Sequence, residues 1–222
     1  MNSVTQKTYL EEETSAKTVR GGSLAESVAG AVGIILAIIG LLQILPHAML
    51  PIATIVVGLA LLIEGGSIAS RFAMLLKETA RGRFETSELG VGLTTEVSGG
   101  IAAIILGILT LLNINAAALM PISAIVLGAT LIFGSGITAR LNHLQMSKSS
   151  ENDEFREVAH EAVRVATGAQ VMLGLAALVL GIIGVTGVSW MVLAYVALLC
   201  VGLAEVTSGS AIASRMMAVM HK

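Results

Sequence analysis

Two acids stand inside stretches that are otherwise free of charge: Glu64 and Glu205. An ionised side chain in hydrocarbon costs several kcal/mol, so an acid kept there is a candidate for handling protons or ions. Glu64 precedes Arg71 by seven residues, roughly 10 Å of helix, and Glu205 precedes Arg215 by ten, roughly 15 Å, which makes Glu205 the deeper of the two. Ser67, Thr207, Ser208 and Ser210 are the nearby hydroxyls that could donate to them and turn them into helix ties instead. Glu26 and Glu96 open charge-free stretches, where an acid favours the positive end of the helix dipole. Arg164 is expected in their place in a third copy, which would exclude a ring of three acids. A weak metal candidate is Glu157 with His160, a Glu-x-x-His pair beside Glu154 and Glu161. Di-iron bundles need two such pairs and two further acids, so the expectation is a solvated helix, with Ser150 and Asp153 at its start and no metal.

The elements that must position these residues are set by composition. The chain has 222 residues, 55% hydrophobic and 13% charged, with 13 Lys and Arg against 15 Asp and Glu and a mean hydropathy of +0.88. Soluble domains carry roughly 25% charged residues, so lipid is the main solvent here. Near-neutral net charge and the absence of a basic tract argue against a nucleic-acid role. The single Cys200 allows neither an internal disulfide nor a CxxC zinc site. No cofactor is expected. There is no P-loop, GxSxG, HExxH or paired-carboxylate signature, so no catalytic residue and no enzyme is expected.

Charge-free stretches of about 37, 43 and 40 residues separate Glu26 from Glu64, Glu96 from Arg140, and Arg164 from Glu205. Each fits two crossings of roughly 20 residues, which predicts an all-α polytopic membrane protein with six transmembrane helices. The expected spans are 24–45, 49–70, 95–114, 119–139, 165–186 and 189–214, with turns at Leu45 to Ala48, Asn113 to Met120 and Val185 to Ser189. The expected division is a polar tail over 1–23, hairpins over 24–75, 95–140 and 164–217, connections over 76–94 and 141–163, and an end segment over 218–222. Every Lys and Arg falls in the tail, the two long connections or the C-terminal end, and none in a hairpin tip. The positive-inside rule then places both termini in the cytoplasm of a multi-pass inner-membrane protein. The tail lacks an apolar h-region beside its positive charges, which argues against a signal peptide.

The hairpins repeat. Glu26, Ile34-Ile35-Leu36, Leu41-Leu42, Pro51 and Gly58 recur 70 residues later as Glu96, Ile104-Ile105-Leu106, Leu111-Leu112, Pro121 and Gly128. Matching Gly66 to Arg71 with Ser135 to Arg140 lowers the offset to 69 after Gly128, as though the second copy had lost a residue. That aligns Glu64 with Phe133 and Ser208, and Glu205 with Leu61. The third copy follows at 144, with Tyr195 where the others have proline. Two spans per unit make the repeats parallel, unlike the inverted repeats of many alternating-access carriers. Glycines seven apart, Gly33/Gly40, Gly58/Gly65, Gly100/Gly107, Gly174/Gly181 and Gly202/Gly209, predict close helix packing, with Gly128/Gly134 spaced by six.

The pattern of glycine, aliphatic run, proline turn, aliphatic run and small-residue segment before an Arg, clearest from Gly33 to Arg71 and from Gly100 to Arg140, resembles the HdeD-type family of small bacterial inner-membrane proteins. The resemblance spans most of 24–217. It implies six helices, an inner-membrane location and a link to acid stress, and it brings no catalytic residues. The function expected is therefore a structural or accessory subunit in the bilayer, as a homo-oligomer or within a membrane complex contacted on its cytoplasmic face. The alternative is a small proton or ion channel or transporter using Glu205 and Glu64.

Overall fold

A computed structural model describes the backbone of residues 24–78, 86–146 and 153–220, and the side chains over 24–66, 94–135 and 164–210. Six helices, and no strand, occur among the described residues: α1 (Leu24–Leu41), α2 (Pro46–Glu78), α3 (Thr86–Leu111), α4 (Ala116–Met146), α5 (Asp153–Val185) and α6 (Trp190–Met220). Each holds a segment long and apolar enough to cross a membrane: Leu24–Leu41, Pro46–Gly66, Thr94–Leu111, Ala116–Ser135, Arg164–Val185 and Trp190–Ser210. The protein is an integral, multi-pass helical bundle. The turns lie at 42–45, 112–115 and 186–189: the first two are nearer the N-terminus than the charge map predicts, and the third falls where it is expected. Pro46 opens α2, where its missing N–H is not needed. Pro51 and Pro121 sit inside α2 and α4 rather than in a turn.

The three tips share one geometry. Gln43, Asn113 and Gly187 have positive φ of 62°, 61° and 87°, and Leu45, Asn115 and Ser189 follow at 48°, 36° and 43°. The N–H groups of Gln43, Asn113 and Gly187 donate to the carbonyls of Gly40, Thr110 and Gly184 at 3.0, 2.9 and 3.0 Å, and those of Ile44 and Ile114 reach back to Ile39 and Leu109. In the first two tips this is the Schellman pattern, which satisfies carbonyls that a helix end would leave bare in lipid. Gly187 and the two asparagines adopt it easily, whereas Gln43 and Leu45 hold it against their side-chain sterics.

Three helices form the inside. α2, α4 and α6 touch one another, α3 packs on α2 and α4, and α5 packs on α4 and α6. α1 lies on α6 and α2, through Gly30 against Gly202 and Gly33 against Val57. The inner helices bury the broad apolar face that makes the core, including Leu50, Val57, Leu61, Met120, Leu127, Leu131, Leu198 and Val201. The outer helices bury a narrow stripe at spacings of four and three: Glu26, Gly30, Gly33, Ala37 and Gly40 on α1; Glu96, Gly100, Ala103, Gly107 and Thr110 on α3; Gln170, Gly174, Ala177, Gly181 and Gly184 on α5. Small residues at that spacing let helix backbones approach closely. Their large neighbours, such as Ile35, Ile105 and Val179, point outward.

The glycine contacts recur at matching positions. A Cβ built on Gly58 would lie 2.8 Å from the Gly100 carbonyl oxygen, one on Gly128 would lie 2.5 Å from that of Gly174, and one on Gly202 would lie 2.9 Å from that of Gly30. Gly65, Gly107 and Gly181 are likewise closed in, by Val97, by Ile55 and Pro51, and by Ile125 and Pro121. Gly33 and Gly40 do not share one partner helix: Gly33 meets Val57 of α2, while a Cβ on Gly40 would fall on the Tyr195 ring of α6. Gly128 and Gly134 also part, toward α5 and α3. Gly209 is buried on α6.

Candidate functional site

At the end of the bundle opposite the tips, four carboxyl side chains enter the core. Glu26 comes from α1, Glu64 from α2, Glu96 from α3 and Glu205 from α6, and none is more than 3% exposed. Glu64 is an electrostatic neighbour of the other three, and Glu26 of Glu205 and Glu96 as well. The two acids singled out within the spans therefore belong to one cluster.

Glu26 and Glu96, expected at helix starts in capping or interface roles, are both buried. Each heads the buried stripe of its outer helix and turns into the bundle. The Glu96 carboxyl crosses to α4, where a Cβ on Gly134 would lie 2.5 Å from its Oε1 and 3.2 Å from its Cδ. The Ser208 hydroxyl of α6 lies beside the Glu26 carboxyl. The hydroxyls of Thr207 and Ser210 are spent on their own helix, on the Leu203 and Ala204 carbonyls and on the Thr207 carbonyl.

Arg164 is exposed, whereas Gln170, 144 residues after Glu26 and 74 after Glu96, is 3% exposed. Buried positions of α2 and α4 run in step at an offset of 70. Positions 60, 61, 64 and 65 are buried as are 130, 131, 134 and 135, so the offset of 70 persists to Ser135 and Glu64 matches Gly134 rather than Phe133. Phe133, like Ile63, is exposed. Glu205 matches Leu61 and Leu131, both core residues.

Both oxygens of Glu205, Oε1 of Glu26 and Oε2 of Glu96 are buried and find no hydrogen-bond partner among the described residues. A carboxylate left so is costly in low dielectric, and several together more so, because like charges repel. Charge balance requires the cluster to carry protons or a compensating cation. Among the described residues no three His, Cys, Asp or Glu side chains are placed to share a metal ion. The side chains of Glu157 and His160 lie outside the described residues.

Toward the tips the centre is closed. Val57, Leu127 and Val201 are wholly buried at matching positions, with Leu50, Met120 and Ala194 beyond them. The Thr54 hydroxyl donates to the Leu50 carbonyl at 3.0 Å and sits 3.9 Å from the Met120 sulfur. Tyr195 on α6 donates its hydroxyl to the Pro46 carbonyl, which ties the tip of the first hairpin to α6. Cys200 is half-buried against the core, and His47 is exposed near a tip. Compared with known protein families, curated proteins and solved structures, the chain matches none.

Proposed function

We propose that the protein is a non-enzymatic membrane protein that takes up and releases protons at an intramembrane carboxyl cluster formed by Glu26, Glu64, Glu96 and Glu205. The observation that carries this reading is Glu205, a wholly buried acid with both oxygens unpartnered by hydrogen bonds among the described residues, in a position filled by Leu61 and Leu131 in the other hairpins. A purely structural bundle has no use for an acid where leucine packs; a proton-handling one does. The sealed centre favours proton binding over open conduction. The charge distribution puts the cluster end and both termini on the cytoplasmic side of an inner membrane. The link to acid stress that the HdeD resemblance implies fits a centre of this kind.

Infrared difference spectra of the protein in liposomes, taken between mildly acid and mildly alkaline buffer, test the reading. A carboxylic-acid carbonyl band that disappears on alkalinisation, and that weakens in Glu205→Gln, is expected. No such band change in the wild-type protein would remove the proposal.

A second reading is a structural or accessory subunit, alone as a homo-oligomer or within a larger membrane assembly. The Tyr195 hydroxyl on the Pro46 carbonyl favours it, since it ties the first hairpin to α6 as a fixed strut. Extraction in mild detergent with a stoichiometric foreign chain would support it.

A further inference from the structure

Where α1 lies on α6 the two backbones touch. A Cβ on Gly30 would lie 2.8 Å from the Gly202 carbonyl oxygen, and one on Gly202 would lie 2.9 Å from that of Gly30. The Glu205 side chain leaves α6 toward α1 at this contact, since the same Cβ on Gly30 would lie 2.8 Å from the Glu205 Cβ. Glu26 and Ser27 stand four and three residues before Gly30, one helical turn nearer the cluster end. Ser208, beside the Glu26 carboxyl, stands three residues after Glu205 on the facing helix.

Two of these residues have apolar counterparts elsewhere in the chain. Ser27 gives way to Val97 and Val171 at 70 and 144 residues on, and Glu205 to Leu131 and Leu61 at 74 and 144 residues back. Their oxygens also lack the partners that buried oxygens find elsewhere. Both Glu205 oxygens, Glu26 Oε1 and Ser27 Oγ are buried with no hydrogen-bond partner. Ser98, Ser123, Ser135, Thr207 and Ser210 each donate to a carbonyl three residues back on their own helix, whereas Ser27 Oγ donates to none.

We infer that the seam of α1 with α6 binds a small monovalent cation such as sodium, held by the Glu205 and Glu26 carboxyls and the Ser27 hydroxyl. The site rests on the proton-handling reading above, since ion and proton compete for the same oxygens. A donor set made only of oxygen suits a hard cation. The carbonyls of Gly30 and Gly202 face the same seam and keep a second lone pair each. Calcium takes about 6–8 oxygen ligands and magnesium keeps several waters, which two acids in a seam closed by glycine backbone do not provide. Among the described residues no third acid is placed to share an ion with them. A monovalent ion on one carboxylate, with a proton on the other, leaves the pair neutral.

The neighbouring helices bring Glu64 from α2, Ser135 from α4 and Gln170 from α5 to this end of the bundle, and α3 adds Glu96 beyond α2. The site takes none of their side chains as a ligand. Among the described residues no Lys, Arg or His is buried. Glu26 is the third residue of the α1 span, so an ion reaches the site from the nearer aqueous face without crossing the closed layer of Val57, Leu127 and Val201.

The full chain, in detergent for melting and in liposomes for infrared spectra, tests the site when sodium chloride is exchanged for choline chloride at constant ionic strength. Sodium is expected to raise the unfolding temperature, as a ligand of the folded state does. At one fixed, mildly acid pH it should also convert part of the carboxylic-acid band to carboxylate, as the ion displaces a proton. Ser27→Ala should raise the half-saturating sodium concentration several-fold, and Glu205→Leu should abolish the response in a protein that still folds. Wild-type protein that melts identically or gives identical spectra in the two salts, or a sodium response undiminished in either variant, would overturn the site. A band that titrates with pH and ignores sodium removes the cation site and leaves the proton-handling reading standing, whereas a cluster that titrates in neither salt removes both.

Discussion

The Glu96 carboxyl occupies the space that a side chain at Gly134 would need: a Cβ there would lie 2.5 Å from its Oε1 and 3.1 Å from its Cγ. An acid on α3 is thus seated in a notch cut by the absence of a side chain on α4. Gly134→Ala should force the buried carboxyl aside and lower stability by about 1–3 kcal/mol, as overpacking does. Gly66→Ala is the control, since a Cβ there meets nothing within 4 Å. Thermal unfolding in detergent compares them, and equal midpoints would show that the notch is not needed.

Glu205 stands where Leu61 and Leu131 stand in the other hairpins. Glu205→Leu should complete an apolar layer, raise the unfolding temperature and weaken the alkaline loss of the carboxylic-acid band, because well-packed hydrophobic residues replace buried polar groups at a gain of about 1–4 kcal/mol. Glu205→Ala should lower stability through the cavity it leaves. A Leu variant less stable than wild type would show that the acid has a stabilising partner.

Tyr195→Phe removes the hydroxyl that reaches the Pro46 carbonyl and leaves the ring against Gly40. The cost should be about 1 kcal/mol. Since this contact ties the tip of the first hairpin to α6, limited proteolysis of the 42–45 tip should also quicken. Unchanged proteolysis with lowered stability would restrict the tyrosine to packing.

Gly107→Leu places a branched side chain where a Cβ alone would lie 2.6 Å from Ile55 Cγ1 and 2.9 Å from the Pro51 carbonyl oxygen. Backbone cannot yield as a side chain does, so loss of folded protein is expected. Gly168→Leu, at a site where a Cβ meets nothing within 4 Å, should be tolerated. Size-exclusion profiles after detergent extraction read both.

The six spans and their pairing by short tips are legible in the sequence because lipid excludes charge so strongly that charges alone mark the boundaries. Glu64 and Glu205 are legible for the same reason. Glu26 and Glu96 are not, because an acid at the third residue of a span looks the same from sequence whether it meets water at a helix start or turns inward. The offset that links them does point to Gln170, an amide of the same shape, once 144 is applied from Glu26. The alignment of small residues after Gly128 misleads, because glycine, serine and alanine substitute freely where only close approach matters; burial, which responds to helix phase, keeps the offset of 70 through Ser135.

The contact of α1 with α6 at Gly30 and Gly202 joins the first of the six helices to the last. During synthesis α1 can meet α2 at Gly33 and Val57 at once, but its contact with α6 waits until that helix has been made. The α1 face that carries Gly30 is covered only when α6 is in place, so a chain halted after α5 would leave that face open.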